Sequence, residues 1–129
     1  MIPITTEARY NAMVNLRKGE ISREIFSSRE IYEEELERVF TRAWLFVGHE
    51  SQVPNPGDFF TSRMGAESVI LARDKKKKVH VFLNSCRHRG MKVCQYDHGN
   101  TQLFTCPYHS WSYTTDGKLF GVPQFKQLY

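Results

Sequence analysis

The sequence lacks any apolar run long enough to cross a membrane, since uncharged apolar segments such as residues 44–48 and 69–72 fall far short of the ~20 residues that a spanning helix needs. The first residues also lack the basic start and apolar stretch of a signal peptide. We therefore expect no membrane association, with a cytoplasmic location as the default. The length of 129 residues predicts one compact core.

Cysteine is scarce and odd in number, with three residues in a chain that shows no export signal. Such cysteines are expected to remain thiols, and a Cys/His spacing then indicates a metal site more often than a disulfide. The net charge of +4 depends heavily on one lysine run, residues 75–78. Because this run lies between two strand-like segments and not among aromatic residues, we expect a solvated turn and no nucleic-acid binding.

The first third of the chain predicts one or two helices. A first helix is predicted to begin with Thr5 or Thr6 as its cap and to end near Gly19. A second is predicted from Ser27, which precedes Glu30 by three residues, the spacing of a capping box. Its apolar residues recur at helical intervals and predict one buried stripe: Tyr32, Leu36, Val39, Phe40 and Ala43.

From Trp44 onward, short segments rich in aromatic and β-branched residues are separated by Gly, Pro, Asn and Asp, which predicts a mainly β fold. Residues 53–57 indicate a turn, and the Asp116-Gly117 pair indicates a tight hairpin turn. The candidate strands are 44–49, 58–63, 68–73, 79–84, 103–105, 111–114 and 118–120.

Two short clusters each pair one thiol with one imidazole: Cys86-Arg87-His88 and Cys106-Pro107-Tyr108-His109. Each follows a predicted strand and is expected to lie in a loop, so that two facing loops enclose a small inorganic core. The four candidate ligands are Cys86, His88, Cys106 and His109. This set suits a [2Fe–2S] cluster in which both cysteines hold one iron and both histidines hold the other. Two neutral imidazoles in place of two thiolates raise the reduction potential.

Zinc is the main alternative, because two cysteines and two histidines also form a tetrahedral structural site. Zinc sites usually pair like ligands two to four residues apart, whereas here each loop mixes Cys and His, with a single residue between Cys86 and His88. A cysteine nucleophile with a histidine partner is a poorer interpretation, since it leaves the second pair unexplained.

Residues 84–94 (NSCRHRGMKVC) and 106–113 (CPYHSWSY) resemble the Rieske domain of ring-hydroxylating oxygenase α subunits. The likeness extends to the Pro56-Gly57-Asp58 turn, to residues 97–100 and to the Asp116-Gly117 hairpin. It implies a Rieske-type antiparallel β-sandwich with a two-loop cluster-binding subdomain over 44–129, after a helical segment over 1–43. The respiratory type, which has a further cysteine in each loop, is not favoured, because Met91 and Tyr108 stand in those places.

The resemblance also implies a function. In that family a reductase or ferredoxin donates electrons to the Rieske cluster, which relays them to a mononuclear Fe(II) that activates dioxygen for aromatic hydroxylation. That iron lies in the catalytic domain of a neighbouring α subunit, and a β subunit is a further candidate partner. No histidine follows His109, so we expect the C-terminal catalytic domain to be absent. A stand-alone Rieske ferredoxin and a zinc-binding interaction module remain the alternatives.

A few other residues invite a role in chemistry. Ser110 stands where the family usually has Gly, and its hydroxyl either donates a hydrogen bond near the cluster or faces solvent. Cys94 is interpreted as a small buried core residue. Trp111 and Tyr108 are expected to shield the cluster from water. Packing or surface roles are predicted for the other histidines, His49, His80 and His98.

Overall fold

The computed structural model describes residues 6–128. The chain divides into two compact units, Met1–Ala43 and Trp44–Tyr129. Length alone predicts one core, and the connected cluster of buried residues lies in the second unit. Across the described residues, every helix falls short of the length and apolarity that a membrane crossing requires.

The first unit is built from short elements. Within the described residues these are, in chain order, helix α1 (Thr6–Ala12), strands β1 (Val14–Asn15) and β2 (Glu20–Ile21), helix α2 (Glu24–Ser27), helix α3 (Arg29–Glu35) and a π-helical turn (Leu36–Phe40). Strands β1 and β2 form an antiparallel hairpin.

The predicted end of the first helix near Gly19 is wrong, because α1 ends at Ala12 and a hairpin follows. Two features favour the hairpin that follows Ala12 over a longer helix. The side chain of Asn15 accepts a hydrogen bond from the backbone N–H of Lys18 at 3.2 Å, a local bond that competes with helix formation. Gly19 then turns the chain with a φ of +65°, a conformation that favours glycine. The side-chain cap predicted at Thr5 or Thr6 lies outside the described side chains.

The second helix begins one residue later than predicted. Its cap is Ser28, whose hydroxyl oxygen accepts from the backbone N–H of Ile31 at 3.4 Å, whereas Ser27 ends the preceding helix. Ser28 also donates a hydrogen bond to Glu30 at 2.7 Å. The spacing pattern therefore located the helix but chose the wrong one of two adjacent serines.

The buried stripe predicted for this helix is also wrong. Ile31 is the buried residue, at 1% exposure, while Tyr32 and Val39 are about half exposed. The helix begins one residue later than predicted, which shifts the face that each residue occupies. The π-helical turn after α3 has one extra residue per turn, so the side chains beyond it point in a different direction around the helix axis. A strict helical period read from Tyr32 therefore follows the wrong face.

The second unit contains two antiparallel sheets. The four-stranded sheet has the order β5-β4-β3-β6, and the three-stranded sheet has the order β7-β8-β9. The strands are β3 (Asp58–Met64), β4 (Glu67–Arg73), β5 (Val79–Leu83), β6 (His98–Asn100), β7 (Leu103–Thr105), β8 (Ser112–Thr114) and β9 (Leu119–Gly121), and a short helix α4 (Phe125–Leu128) follows. Six of the seven predicted strands are confirmed within one residue at either end, as is the mainly β fold class.

The strand predicted at residues 44–49 is wrong, because these residues pair with no strand. Their side chains do alternate, with Trp44 and Phe46 exposed and Leu45 and Val47 partly buried. An alternating pattern makes a strand only where a neighbour supplies the hydrogen-bonded ladder. Strand β6 was missed for the opposite reason, since its His-Gly-Asn sequence has no hydrophobic pattern yet pairs with β3.

The core of the second unit joins the two sheets through aromatic rings. Phe59 on β3 meets Phe104 on β7 edge to face, with ring centroids 5.1 Å apart. Phe82 on β5 contacts the same Phe104 ring at 5.8 Å. Gly117, in the β8–β9 turn, has a φ of +81°, and a Cβ there would lie 3.0 Å from the Phe82 ring. These contacts hold the two sheets close together. The loop that contains Cys86 follows β5, and the loop that contains Cys106 follows β7.

The lysine run forms the solvated turn that was predicted between β4 and β5. Asp74 organises it: one carboxylate oxygen accepts from the backbone N–H groups of Lys76 at 2.9 Å and Lys78 at 2.8 Å. The other oxygen lies 2.9 Å from Nε2 of His80. The hydrogen bond with His80 is the main cause that lowers the pKa of Asp74, and the two N–H groups add to it against the opposing effect of burial.

This pair predicts a pH-dependent stability. Because the pKa of Asp74 is lower in the folded chain, its contribution is complete above the unfolded value of about 3.9 and is lost as pH falls through the folded value. Asp74→Asn should therefore lower the melting temperature at pH 7, and the deficit should shrink toward pH 3. Thermal unfolding followed by circular dichroism checks this, with Asp97→Asn at an exposed position as the control. A deficit of equal size at every pH would contradict it.

Candidate metal centre

The two Cys/His clusters lie in loops with the same backbone frame. We call residues 85–93 the first loop and residues 106–111 the second loop. In each, the N–H of the cysteine donates to the carbonyl five residues later, and its own carbonyl accepts from the N–H four residues later, at 2.8 to 3.0 Å. The partners are Met91 and Gly90 for Cys86, and Trp111 and Ser110 for Cys106. These backbone hydrogen bonds close both loops without any contribution from side chains.

The thiols and the imidazoles lie at different depths. Cys86 and Cys106 are buried, at 3% and 2% exposure, and both belong to the core cluster. His88 is partly buried and His109 is exposed, with their ring centroids 4.7 Å apart. The four predicted ligands thus come together as an inner pair of thiols and an outer pair of imidazoles.

The surroundings favour the protonation states that metal ligands need. Burial opposes ionisation of Cys86, but hydrogen bonds from Tyr113, from the backbone N–H of His88 and from Cys106 outweigh it and lower the pKa of the thiol. Burial also lowers the pKa of His88, and its electrostatic interactions with His109 and Arg89 lower it further. Both shifts are toward the protonation states that metal binding requires, a thiolate and a neutral imidazole.

Tyr113 is a site residue that the sequence analysis missed. It lies buried on β8, with its hydroxyl oxygen 3.2 Å from the sulfur of Cys86. The same oxygen accepts the backbone N–H of Arg87 at 3.0 Å, and toward a thiolate, which only accepts, the hydroxyl is the donor. Burial, then Cys86, raises the pKa of Tyr113 to about 12, so the hydroxyl stays a donor. The available signal was that a buried tyrosine needs a hydrogen-bond partner.

Each imidazole has an aromatic neighbour. Trp111 stacks on His88 with ring centroids 4.9 Å apart and planes 8° apart, and it packs against the core. Tyr108 lies 3.9 Å from His109, tilted by 34°, with 57% of its surface exposed. The predicted shielding role therefore fits Trp111 well, whereas Tyr108 covers one face of an imidazole that is itself exposed.

Asn84, a second missed residue, closes the first loop. Its side-chain oxygen accepts from the backbone N–H groups of Val93 at 2.9 Å and Cys94 at 2.8 Å, and its amide donates to the carbonyl of Cys94 at 2.8 Å. The buried side chain thus joins the two ends of the loop that carries Cys86 and His88. A polar residue at the end of a predicted strand, directly before a Cys/His cluster, was the signal available in the sequence.

The remaining candidates lie apart from this centre. Cys94 is in the core, where burial raises the pKa of its thiol, and its sulfur contacts the carbonyl of Tyr96 at 3.4 Å. Packing is thus its role, as predicted. The other histidines serve the scaffold or the surface: His49 caps a 3-10 turn (Glu50–Gln52), His80 pairs with Asp74, and His98 is exposed on β6.

The four-residue donor set fits a two-iron cluster better than a single zinc ion. Among the described residues, no three His, Cys, Asp or Glu side chains gather around one point as ligands of a single ion. Instead thiol faces thiol and imidazole faces imidazole, in two like pairs at two depths. A structural zinc site places four ligands around one centre. A Rieske cluster has two centres, each with two like ligands.

Comparison with known proteins points the same way. The sequence profile of the Rieske [2Fe-2S] domain matches residues 43–129. The chain is 45% identical to the biphenyl 2,3-dioxygenase subunit alpha of Rhodococcus jostii (strain RHA1) over 127 residues, which cover 98% of this chain and 28% of that protein. It is 47% identical over 112 residues to the benzene 1,2-dioxygenase subunit alpha of Pseudomonas putida, covering 87% of this chain and 25% of that one.

The fold has a similar counterpart among solved structures. A crystal structure of naphthalene 1,2-dioxygenase from Rhodococcus sp. bound to indole matches with a TM-score of 0.83 and 36% identity, covering 98% of this chain and 30% of that one. The chain therefore spans less than a third of the length of these relatives.

The two loops differ at one equivalent position. Gly90 has a φ of +72°, and Ser110 has the left-handed φ of +57° without being glycine. Ser110 is exposed, and its N–H donates to Cys106 as that of Gly90 donates to Cys86. The departure from glycine noted in the sequence therefore places a strained backbone beside His109.

The pair predicts two opposite changes in stability. Ser110→Gly should raise the free energy of unfolding by roughly 0.5–1 kcal/mol, because it relieves about 1–2 kcal/mol of strain while glycine adds about 0.5–1 kcal/mol of entropy cost. Gly90→Ala should lower it by a similar amount, since the nearest atom to the new Cβ, in Ser85, is 4.0 Å away and only the backbone angle is strained. Guanidinium unfolding checks both, and changes of the same sign would contradict the argument.

Proposed function

Because this chain belongs to the Rieske [2Fe-2S] domain family, we propose that Cys86, His88, Cys106 and His109 hold its [2Fe–2S] cluster and that the domain relays single electrons for a ring-hydroxylating oxygenase. The observation that carries the proposal is the pairing of buried thiols opposite outer imidazoles. When bound, the cluster supplies reversible uptake of one electron at a potential above that of all-cysteine clusters.

The chain's own residues divide the work. The buried thiols would anchor one iron in the core, where the hydroxyl of Tyr113 and the N–H of His88 stabilise negative charge on the sulfur of Cys86. Trp111 excludes water from one face of His88. The exposed ring of His109 is the exit for the electron, because it is the most exposed of the four proposed ligands.

The wider role follows from the relatives. We propose that residues 1–43 are a mostly helical N-terminal segment, with one hairpin in its described part, and that residues 44–129 are the Rieske domain of an α subunit whose catalytic domain lies outside this chain. A reductase or ferredoxin donates the electron, and a mononuclear Fe(II) in the catalytic domain of a neighbouring α subunit receives it for hydroxylation of an aromatic compound. A β subunit is a further partner. The site of action is the cytoplasm.

A stand-alone Rieske ferredoxin is the weaker candidate. The profile of the domain covers residues 43–129 only, whereas the alignment with the biphenyl 2,3-dioxygenase subunit alpha covers 98% of the chain. The first 43 residues are thus shared with an oxygenase subunit, and a minimal electron carrier has no need of them.

The metal content tests the proposal directly. Protein made with sufficient iron and sulfide should contain about two irons and two labile sulfides per chain and take up about one electron in a reductive titration. Replacing Cys86, His88, Cys106 or His109 with Ala should abolish the cluster and loosen the fold, because metal binding contributes folding free energy. Iron and sulfide assays with visible and electron paramagnetic resonance spectra measure both.

Cys94→Ala is the matched control, because it removes a buried thiol that is not among the proposed ligands. It should keep the cluster. Loss of iron in this variant, or one zinc ion and no sulfide in the unsubstituted protein, would overturn the ligand assignment.

Tyr113 predicts a shift in potential. A donor to the sulfur of Cys86 stabilises the more negative, reduced state, so Tyr113→Phe should lower the midpoint potential. If the hydrogen bond is about 1 kcal/mol stronger in the reduced state, the shift is roughly 40 mV for a one-electron couple. Redox titration followed by visible absorption measures it. Tyr96→Phe, at an exposed position, is the control and should leave the potential unchanged. An unaltered potential in Tyr113→Phe with full iron content would contradict the role.

A further inference from the structure

The two loops around the imidazoles differ in charge. The first loop carries three exposed cations, Arg87, Arg89 and Lys92, and no Asp or Glu. The second loop carries no Lys, Arg, Asp or Glu, and it exposes His109 and Tyr108. Both loops have the same backbone hydrogen bonds, so charged side chains are not needed to hold the candidate ligands in place. The difference in charge therefore concerns the surface that each loop presents.

The larger positive cluster of the chain lies elsewhere. The lysine run, residues 75–78, forms a turn before β5, which we call the lysine turn, and the first loop follows β5. The five residues of this extended strand separate the lysine turn from the first loop by roughly 16 Å. A negatively charged partner attracted by the lysine turn would therefore be held at the end of the sheet away from the imidazoles. The cations of the first loop are the ones beside the imidazoles.

The kind of interface decides which partner these cations suit. Permanent subunit interfaces are apolar and depleted of charged residues in their core. Encounters with a diffusing partner gain most from exposed charge, because complementary charge accelerates association. Three solvated cations without a carboxylate in the same loop fit an encounter with a diffusing partner. The uncharged surface of Tyr108 and His109 fits a permanent subunit interface.

We propose that Arg87, Arg89 and Lys92 form the docking surface for an acidic electron-donor protein, so that electrons enter beside the first loop and leave beside the second. The inference rests on the proposed function and adds the entry side to it. In the step, the donor loses one electron and this domain gains one, and no covalent bond forms or breaks. A reduced one-electron carrier protein with an acidic surface, such as an acidic ferredoxin, is the class of donor that this chemistry needs.

Charge reversal tests the docking surface. The variant Arg87→Glu/Arg89→Glu/Lys92→Glu is compared with Lys75→Glu/Lys76→Glu/Lys78→Glu, which makes the same change in net charge at the lysine turn. The probe is an acidic plant-type [2Fe–2S] ferredoxin. Its affinity for each cluster-loaded protein is measured by calorimetry over a range of salt concentrations, and its rate of electron transfer by stopped flow. The first variant should bind at least tenfold more weakly and lose most of the salt dependence, and the second should stay within about twofold of the unsubstituted protein.

A second reductant separates this inference from the proposed function. Photoreduced 5-deazariboflavin is small and needs no docking surface, so it should reduce the cluster of all three proteins to completion, even where the charge change beside His88 shifts the potential. Absence of a reducible cluster in the unsubstituted protein would instead remove the proposed function itself. With the clusters intact, unchanged ferredoxin affinity in the first-loop variant, or an equal loss in both variants, would overturn the docking surface and leave these cations to a subunit interface.

Discussion

The candidate centre depends on an aromatic contact between two sheets. Cys86 follows β5 and Cys106 follows β7, strands of different sheets, so neither loop places its ligands opposite the other unless the sheets are held together. Phe104 does this by meeting Phe59 and Phe82 edge to face. All three cysteines lie in the same buried cluster as Phe59 and Phe104, and Phe82 packs against that cluster. The packing that forms the core is therefore also the packing that brings the thiols together.

Burial and hydrogen bonding oppose each other at the centre, and their balance sets its chemistry. A buried thiol resists ionisation, yet Cys86 has a lowered pKa because Tyr113 and backbone N–H groups donate to its sulfur. Burial raises the free-energy cost of ionising the thiol, and the same burial keeps water away from its sulfur. Toward the surface the balance reverses, since His109 is exposed and its imidazole is open to a partner. The thiols lie fixed in the core, and the exposed imidazole is the part of the centre that a partner protein can reach.

The errors of the sequence analysis share a cause. Residues 44–49 alternate as a strand does, but no neighbouring strand pairs with them, whereas β6 has no pattern and pairs because β3 lies beside it. The second helix was located correctly, but one of two adjacent serines caps it and a π-helical turn rotates its later residues. Local patterns report what a segment could form. They do not report which partner it meets.

The sequence by itself determined the residue types of the candidate ligands, their spacing and the strands that precede them, because these depend on residue identity and on short-range periodicity. The resemblance to Rieske domains was readable for the same reason. Only the tertiary structure decided that the thiols lie inside and the imidazoles outside, that Tyr113 donates to Cys86, and that Asn84 closes the first loop. These contacts join residues 9 to 27 positions apart, and no local pattern specifies them, since distant segments meet only when the aromatic core forms.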